Sequence, residues 1–203
     1  MKALRITLWA VVALAALGLG LLGYEMSRQN AAVGTATGPE LGGPFTLVGT
    51  DGETVTQDDI LGRPHAIFFG YTLCPDVCPT SMYEMGQHMA KLDAEHADKA
   101  DDLAVVFVSV DPDRDTPELI GDYLQAFDER IIGLTGSREA VDEAVKAYKA
   151  YYKINPPDEN GNILVDHTAS IYLFDAEGRF SGSIAYGENL DVAYEKLERL
   201  VGI

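Results

Sequence analysis

The stretch Ile67-Phe68-Phe69-Gly70-Tyr71-Thr72-Leu73-Cys74-Pro75-Asp76-Val77-Cys78-Pro79-Thr80 constrains what this chain can fold into more than any other. Its Phe-rich start has the pattern of a buried strand. Gly70, Tyr71 and Thr72 read as the exit of that strand. Pro79 stands where a helix favours its first residue, because proline has no N–H to leave unpaired there. The chain must therefore pass from a covered strand into a helix within a few residues, and its only two cysteines, Cys74 and Cys78, lie on that passage. A helix N-terminus offers free backbone N–H groups and a partial positive charge, both of which favour thiolate over thiol. Thiolates so placed exchange disulfides or hold a soft metal.

The surrounding pattern gives the passage its setting. Phe45-Thr46-Leu47-Val48 and Thr54-Val55-Thr56 are two short strand segments around the turn pair Asp51-Gly52. Leu103 to Val110 is apolar on both faces, as in the centre of a covered sheet. Thr116 caps a helix predicted from Pro117 to about Asp128, and Ser137 one from Arg138 to Tyr151. Ile131 to Leu134 is a short strand, and Asn155 to Asn162 is a loop. Val165-Asp166-His167-Thr168 leads into a strand from Ala169 to Phe174. Glu177-Gly178 turns the chain into Phe180 to Ala185, and Leu190 to Val201 is a closing amphipathic helix. Strand, helix, strand, helix, then an antiparallel pair and a last helix describe an α/β, thioredoxin-like sandwich over residues 41–203.

Two segments precede that domain. Lys2 and Arg5 come before the uncharged apolar run Ile6 to Gly23. At about 1.5 Å per residue this run spans roughly 27 Å, enough for a bilayer core. Residues 1–24 are therefore read as an N-terminal transmembrane helix, with a cleaved signal peptide as the rival. The positive-inside rule places the domain outside the cytoplasm. Without an Arg- and Ser-rich transit peptide, a bacterial inner membrane facing the periplasm is favoured. Residues 25–40 read as a flexible tether with a reach of roughly 20–25 Å. Nearby thiols in such a compartment oxidise unless something keeps them reduced. The formal net charge of −17 argues against nucleic acid, which requires a basic groove.

The Cys-x-x-x-Cys spacing is one residue longer than the common redox motif, which weakens the case for a generic reductase. Pro75 and Pro79 stiffen the turn. Two preset thiolates suit Cu(I), an added imidazole would also accommodate Cu(II), and zinc would want more cysteine than the chain offers. His167 is the candidate third ligand, because in a thioredoxin-like domain the loop entering the C-terminal hairpin lies beside the cysteine turn. On spacing alone the plainer reading, a satisfied core or surface histidine, stands beside it.

Further motifs flank the cysteine block in order: Gly42-Gly43-Pro44-Phe45 before it, then Val108-Ser109-Val110-Asp111-Pro112, Arg114-Asp115-Thr116-Pro117, Gly133-Leu134-Thr135-Gly136 and Asp166-His167-Thr168 after it. Together they resemble the Sco/SenC copper-chaperone family from about Leu41 to the C-terminus. The resemblance implies one copper ion, Cu(I) or Cu(II), bound by Cys74, Cys78 and His167 in a membrane-anchored protein. It also implies a role in building the dinuclear copper centre of cytochrome c oxidase subunit II, with other copper carriers or thiol reductants as further partners. The alternative is a thiol–disulfide oxidoreductase that keeps partner cysteines reduced through Cys74 and Cys78; a peroxidase is weaker still.

Other candidates carry less. Asp76 and Asp166 flank the ligands and are candidates to orient an imidazole or a partner's cation, against a turn cap and a solvated carboxylate. Met82, Met85, Met89 and Leu92 fall on one helical stripe, which reads as core rather than a copper relay. His65, His88 and His96 read as packing or surface residues, and Asp113-Arg114-Asp115 as a hydrogen-bonded turn.

Overall fold

The computed structural model describes residues 41–203; the expected anchor and tether lie outside the described residues. Among the described residues, no helix is long and apolar enough to cross a membrane.

The sheet is built on β3 (His65–Gly70) and β4 (Ala104–Ser109), which run parallel in a register from His65–Ala104 to Gly70–Ser109. Every residue of both strands is buried. Covered on both faces, they need continuous apolar runs rather than alternation, and that is what the sequence supplies. β5 (Ile132–Thr135) adds parallel to β4. The antiparallel hairpin of β1 (Thr46–Gly49) and β2 (Thr54–Thr56) closes that edge through β1. On the other side β8 (Ile171–Phe174) and β9 (Phe180–Ile184) pair antiparallel, giving the order β2-β1-β5-β4-β3-β8-β9. The crossovers are α1 (Val77–Glu95), between β3 and β4, and α2 (Pro117–Leu124), between β4 and β5. α3 (Arg138–Ala147) contacts β1, and α4 (Leu190–Val201) contacts β9 and α1. This is the thioredoxin-like arrangement the sequence pattern anticipates.

Met82, Met85, Met89 and Leu92 are buried in the core, as their helical spacing requires. His65 and His88 are buried too, stacked on Phe174 and Tyr194 respectively. His96, by contrast, pairs with Glu198 at 3.2 Å.

The structure departs from the sequence reading at four boundaries. α1 begins at Val77, not Pro79, so Pro79 occupies its third position. The first four N–H groups of a helix have no intrahelical acceptor, so proline is as harmless there as at the first. α2 stops at Leu124 rather than near Asp128. α3 stops at Ala147 because Lys149 turns left-handed (φ 50°) and the Ala150 N–H reaches back to the Val145 carbonyl at 3.0 Å. The largest difference is a separate antiparallel ribbon of β6 (Tyr152–Ile154) and β7 (Val165–His167). The Val165–Thr168 segment does not run on into the hairpin strand; it pairs backwards across the Asn155–Asn162 loop.

Candidate metal centre

Cys74 lies on the turn after β3, and Cys78 sits in the first turn of α1, fully buried against the sheet. The contact leaves no room: a Cβ added at Gly70 would lie 2.8 Å from the Cys78 Sγ and 2.7 Å from the Phe68 ring. Glycine at the end of β3 is therefore what lets the second sulfur approach the strand. Asp76 stands at the N-cap of α1 but makes no side-chain capping bond. The sulfur of Cys74 takes that place instead, accepting from the Cys78 N–H at 3.4 Å. The Tyr71 N–H approaches the Cys78 Sγ at 3.5 Å.

His167 arrives from the ribbon. In β7 Val165 is buried and Asp166 exposed, so the two-residue period of a strand turns His167 to the same side as Val165. The Val165 N–H donates to the Tyr71 hydroxyl at 3.2 Å, which ties the ribbon to the exit of β3. The imidazole meets Phe68 and Tyr71 edge-on, at 5.7 and 5.8 Å between ring centres. Its Nε2 is 3.3 Å from the Cys78 Sγ and 3.9 Å from the Cys74 Sγ. Its Nδ1 lies 2.9 Å from the Thr168 carbonyl. A carbonyl can only accept, so Nδ1 carries a proton. In the neutral ring the bare lone pair is then on Nε2, facing the sulfurs.

Local electrostatics separate the two thiols. Cys74 is held down to about 3, first by a hydrogen bond from Cys78, against burial, and then by bonds from His167 and the N–H groups of Asp76 and Cys78. Cys78 is pushed far up by burial and by its bond to Cys74. The apo site is therefore a thiolate accepting from a neighbouring thiol. For His167, burial opposes protonation, but the bond to Cys74, the Thr168 carbonyl and the Cys74 charge outweigh it, so its pKa is raised.

All three donor atoms lie within 4.8 Å of one another. A three-coordinate ion with bonds of about 2.0–2.3 Å needs donors separated by roughly 3.5–4 Å, so small adjustments suffice. Two soft sulfurs with one imidazole suit copper. Cys74, Cys78 and His167 could therefore hold a copper ion, and binding would displace the Cys78 proton.

The flanking carboxylates point elsewhere. Asp76 accepts from the Tyr186 hydroxyl at 3.1 Å, and Asp166 accepts from the Asn155 amide at 3.0 Å. Toward the site Asp76 contributes its backbone N–H to Cys74. The group that orients the imidazole is the Thr168 carbonyl, an atom no side-chain motif could announce.

Sequence reasoning placed Asp115 in a local hydrogen-bonded turn but missed its tie to the cysteine turn; its side chain is buried. It accepts from the Thr72 N–H at 3.0 Å, the Thr72 hydroxyl at 2.6 Å and the Ser109 hydroxyl at 2.5 Å. It fixes the start of the cysteine turn to the end of β4. The signal was present: two parallel strands finish at the same end of a sheet, so the loops after β3 and β4 must meet. A Ser closing a central apolar strand marks the junction.

Comparisons with known proteins point to one family. A SCO1/SenC family model matches residues 33–202. The chain is 44% identical to human "Protein SCO1 homolog, mitochondrial" over 142 residues, covering 70% of this chain and 46% of that one. It is 40% identical to Rhodobacter capsulatus "Protein SenC" over 158 residues, covering 76% and 69%. The chain thus spans about half the length of the mitochondrial relatives it matches. Among solved structures, copper-bound ScoI of Bradyrhizobium japonicum superposes with a TM-score of 0.71 at 39% identity, covering 79% of this chain and 99% of that one. Copper-bound yeast Sco1 gives 0.73 at 34% identity, covering 80% and 89%.

Proposed function

This chain belongs to the SCO1/SenC family, and from that premise we propose that it is a copper metallochaperone. Cys74, Cys78 and His167 bind Cu(I) or Cu(II), one ion per domain, and pass it on during maturation of the dinuclear copper centre of cytochrome c oxidase subunit II. The observation that carries the reading is the Nε2 of His167 set 3.3 and 3.9 Å from two sulfurs. The copper bound by relatives of the same fold supports it. Cu(I) leaves by stepwise exchange: each incoming thiol gives up a proton as its sulfur binds, and each departing sulfur can take one up. No electron moves and no free ion is released. Residues 1–24 hold the domain at a bacterial inner membrane and residues 25–40 let it swing in the periplasm, a placement the apolar run after Lys2 and Arg5 supports.

The competing reading is a thiol–disulfide reductase, favoured by the half-buried Cys74 thiolate beside a reserve thiol. There Cys74 attacks a partner disulfide and Cys78 resolves the mixed disulfide. Two protein thiols are released and a Cys74–Cys78 bond is left. His167 is dispensable to that chemistry.

Equilibrium dialysis of the reduced full chain against a Cu(I) chelator separates the two. Losing even an outer partner of a metal site costs about 10–100-fold in affinity, so His167→Ala is expected to cost at least about 100-fold. Cys74→Ala or Cys78→Ala is expected to abolish retention. Copper affinity unchanged in His167→Ala, with reductase activity intact, would sink the metallochaperone reading.

A further inference from the structure

The end of α1 remote from the cysteine turn carries a second cluster of ligating side chains. Glu95 closes that helix, His96 follows it, and Glu198 comes from α4. One ligating atom of each lies within 4.8 Å of the other two. His96 Nε2 and a Glu198 oxygen are 3.2 Å apart. Two donors on a tetrahedral zinc stand roughly 3.4 Å apart at bonds of about 2.1 Å, so the cluster is close to ligating geometry. Two features set it apart from a chance surface ion pair. The last turn of α1 holds no basic residue, so the negative end of its dipole has no cation of its own helix to offset it. The second feature is Tyr194, one turn before Glu198 on the same face of α4. Its side chain is 3% exposed and stacks on His88, while Lys91 lies 3.9 Å over its ring. Its hydroxyl has no hydrogen bond of normal geometry among the described residues. Burial first, then Glu95 and the Glu198 charge, push that hydroxyl up to about 12. It is therefore a buried, protonated donor beside two carboxylates, with its proton not yet placed.

We propose that Glu95, His96 and Glu198 bind one divalent ion of zinc's class, which staples the end of α1 to α4. The site is separate from the sulfur centre, a helix length of about 27 Å from Cys78, and it stands whether or not the chain carries copper. Its chemistry differs too. Two carboxylates and one imidazole suit Zn²⁺, whereas Cu(I) prefers sulfur and Mg²⁺ demands an octahedron of oxygens. Three protein ligands leave the fourth position to water. Without the ion, His96 Nε2 donates to Glu198, because an ionised carboxylate only accepts. The ion takes the place of that proton, and the neutral ring keeps its one proton on Nδ1. The Tyr194 hydroxyl then steadies the Glu95 carboxylate from behind.

The test uses the full chain with Cys74→Ser and His167→Gln, which removes the competing centre and leaves the buried Cys78 packed. Titration calorimetry with Zn²⁺ is expected to show one ion per chain. The thermal midpoint is expected to rise with Zn²⁺ and not with Mg²⁺. His96→Gln should weaken zinc binding at least about 100-fold, and Tyr194→Phe, which removes only the hydroxyl, about 10-fold. Glu198→Gln keeps an acceptor for His96 and Glu95→Gln changes an exposed side chain, so both variants keep the fold; each is expected to lose affinity by at least about 10-fold. Zinc-edge X-ray absorption should show one imidazole among oxygen donors. Zinc affinity unmoved by His96→Gln and by both glutamine variants would overturn the site. So would a rise in midpoint that Mg²⁺ reproduces, or zinc taken up without one-to-one stoichiometry; either would leave an ordinary surface ion pair.

Discussion

Cys78 sits in the first turn of a long helix, pressed on the end of β3, whereas His167 ends a three-residue strand in a ribbon outside the main sheet. The cysteine side is held by the core itself: Gly70 makes room for one sulfur, and buried Asp115 ties Thr72 to Ser109. The histidine side hangs on the Tyr71 hydroxyl, two edge-on ring contacts and the Thr168 carbonyl. One half of the centre is thus as stable as the domain, while the other can open locally at smaller cost. For a carrier that must both hold and release a soft ion, the division gives a fixed sulfur pair and a third donor that can swing away.

The largest effect expected from breaking this contrast lies on the rigid side. Asp115→Ala leaves the Thr72 and Ser109 donors without their acceptor, and should destabilise the fold by about 3–4 kcal/mol while loosening the cysteine turn. Urea unfolding with a matched copper titration measures both. A loss under about 1 kcal/mol would mean that Asp115 does not anchor the turn.

Next comes the charge on that turn. With Cys74 held at about 3, its thiolate is already present at mildly acid pH. Alkylation of the reduced apo chain should therefore change little between about pH 5 and pH 8, whereas an ordinary thiol with a pKa near 8.5 accelerates several hundred-fold. The sign follows from a folded pKa below the usual one: the anion is lost only as pH falls through about 3. Mass mapping should place the label on Cys74 and not on Cys78. A steep rise with pH at Cys74 would contradict the assigned charge state.

The smallest effect sharpens the comparison at its seam. Tyr71→Phe removes the acceptor of the Val165 N–H and keeps the ring against His167. It should cost about 1–1.5 kcal/mol in unfolding. Hydrogen exchange should speed up in the β6–β7 ribbon and stay unchanged in β3 and β4. Uniform acceleration across the sheet would show that the ribbon is not a separately opening unit.

How legible this was in the sequence follows the same division. The buried parallel strands, the cysteine turn and the capped helices have short-range signatures: apolar runs, Pro79, Thr116 and Ser137 with their local bonds. Their alternation pointed to the thioredoxin-like class, whereas the strand order is a tertiary fact. The ribbon had no such mark, because its strands are three residues long and their pairing depends on a loop whose prolines suggest only irregularity. The positions of Cys74, Cys78 and His167 were readable as candidates, but their convergence is a tertiary fact. Some of the bonds that tune them come from backbone atoms at Thr168, Tyr71 and Asp76, which side-chain motifs do not encode.

The central claim is that folding delivers one imidazole nitrogen to two sulfurs to make a copper site, and copper-edge X-ray absorption of the reduced, Cu(I)-loaded full chain addresses it most directly. Two sulfur donors and one nitrogen are expected, with the nitrogen shell lost in His167→Ala while both sulfurs remain. A nitrogen shell that survives His167→Ala, or an all-sulfur first shell in the unaltered chain, would contradict the account.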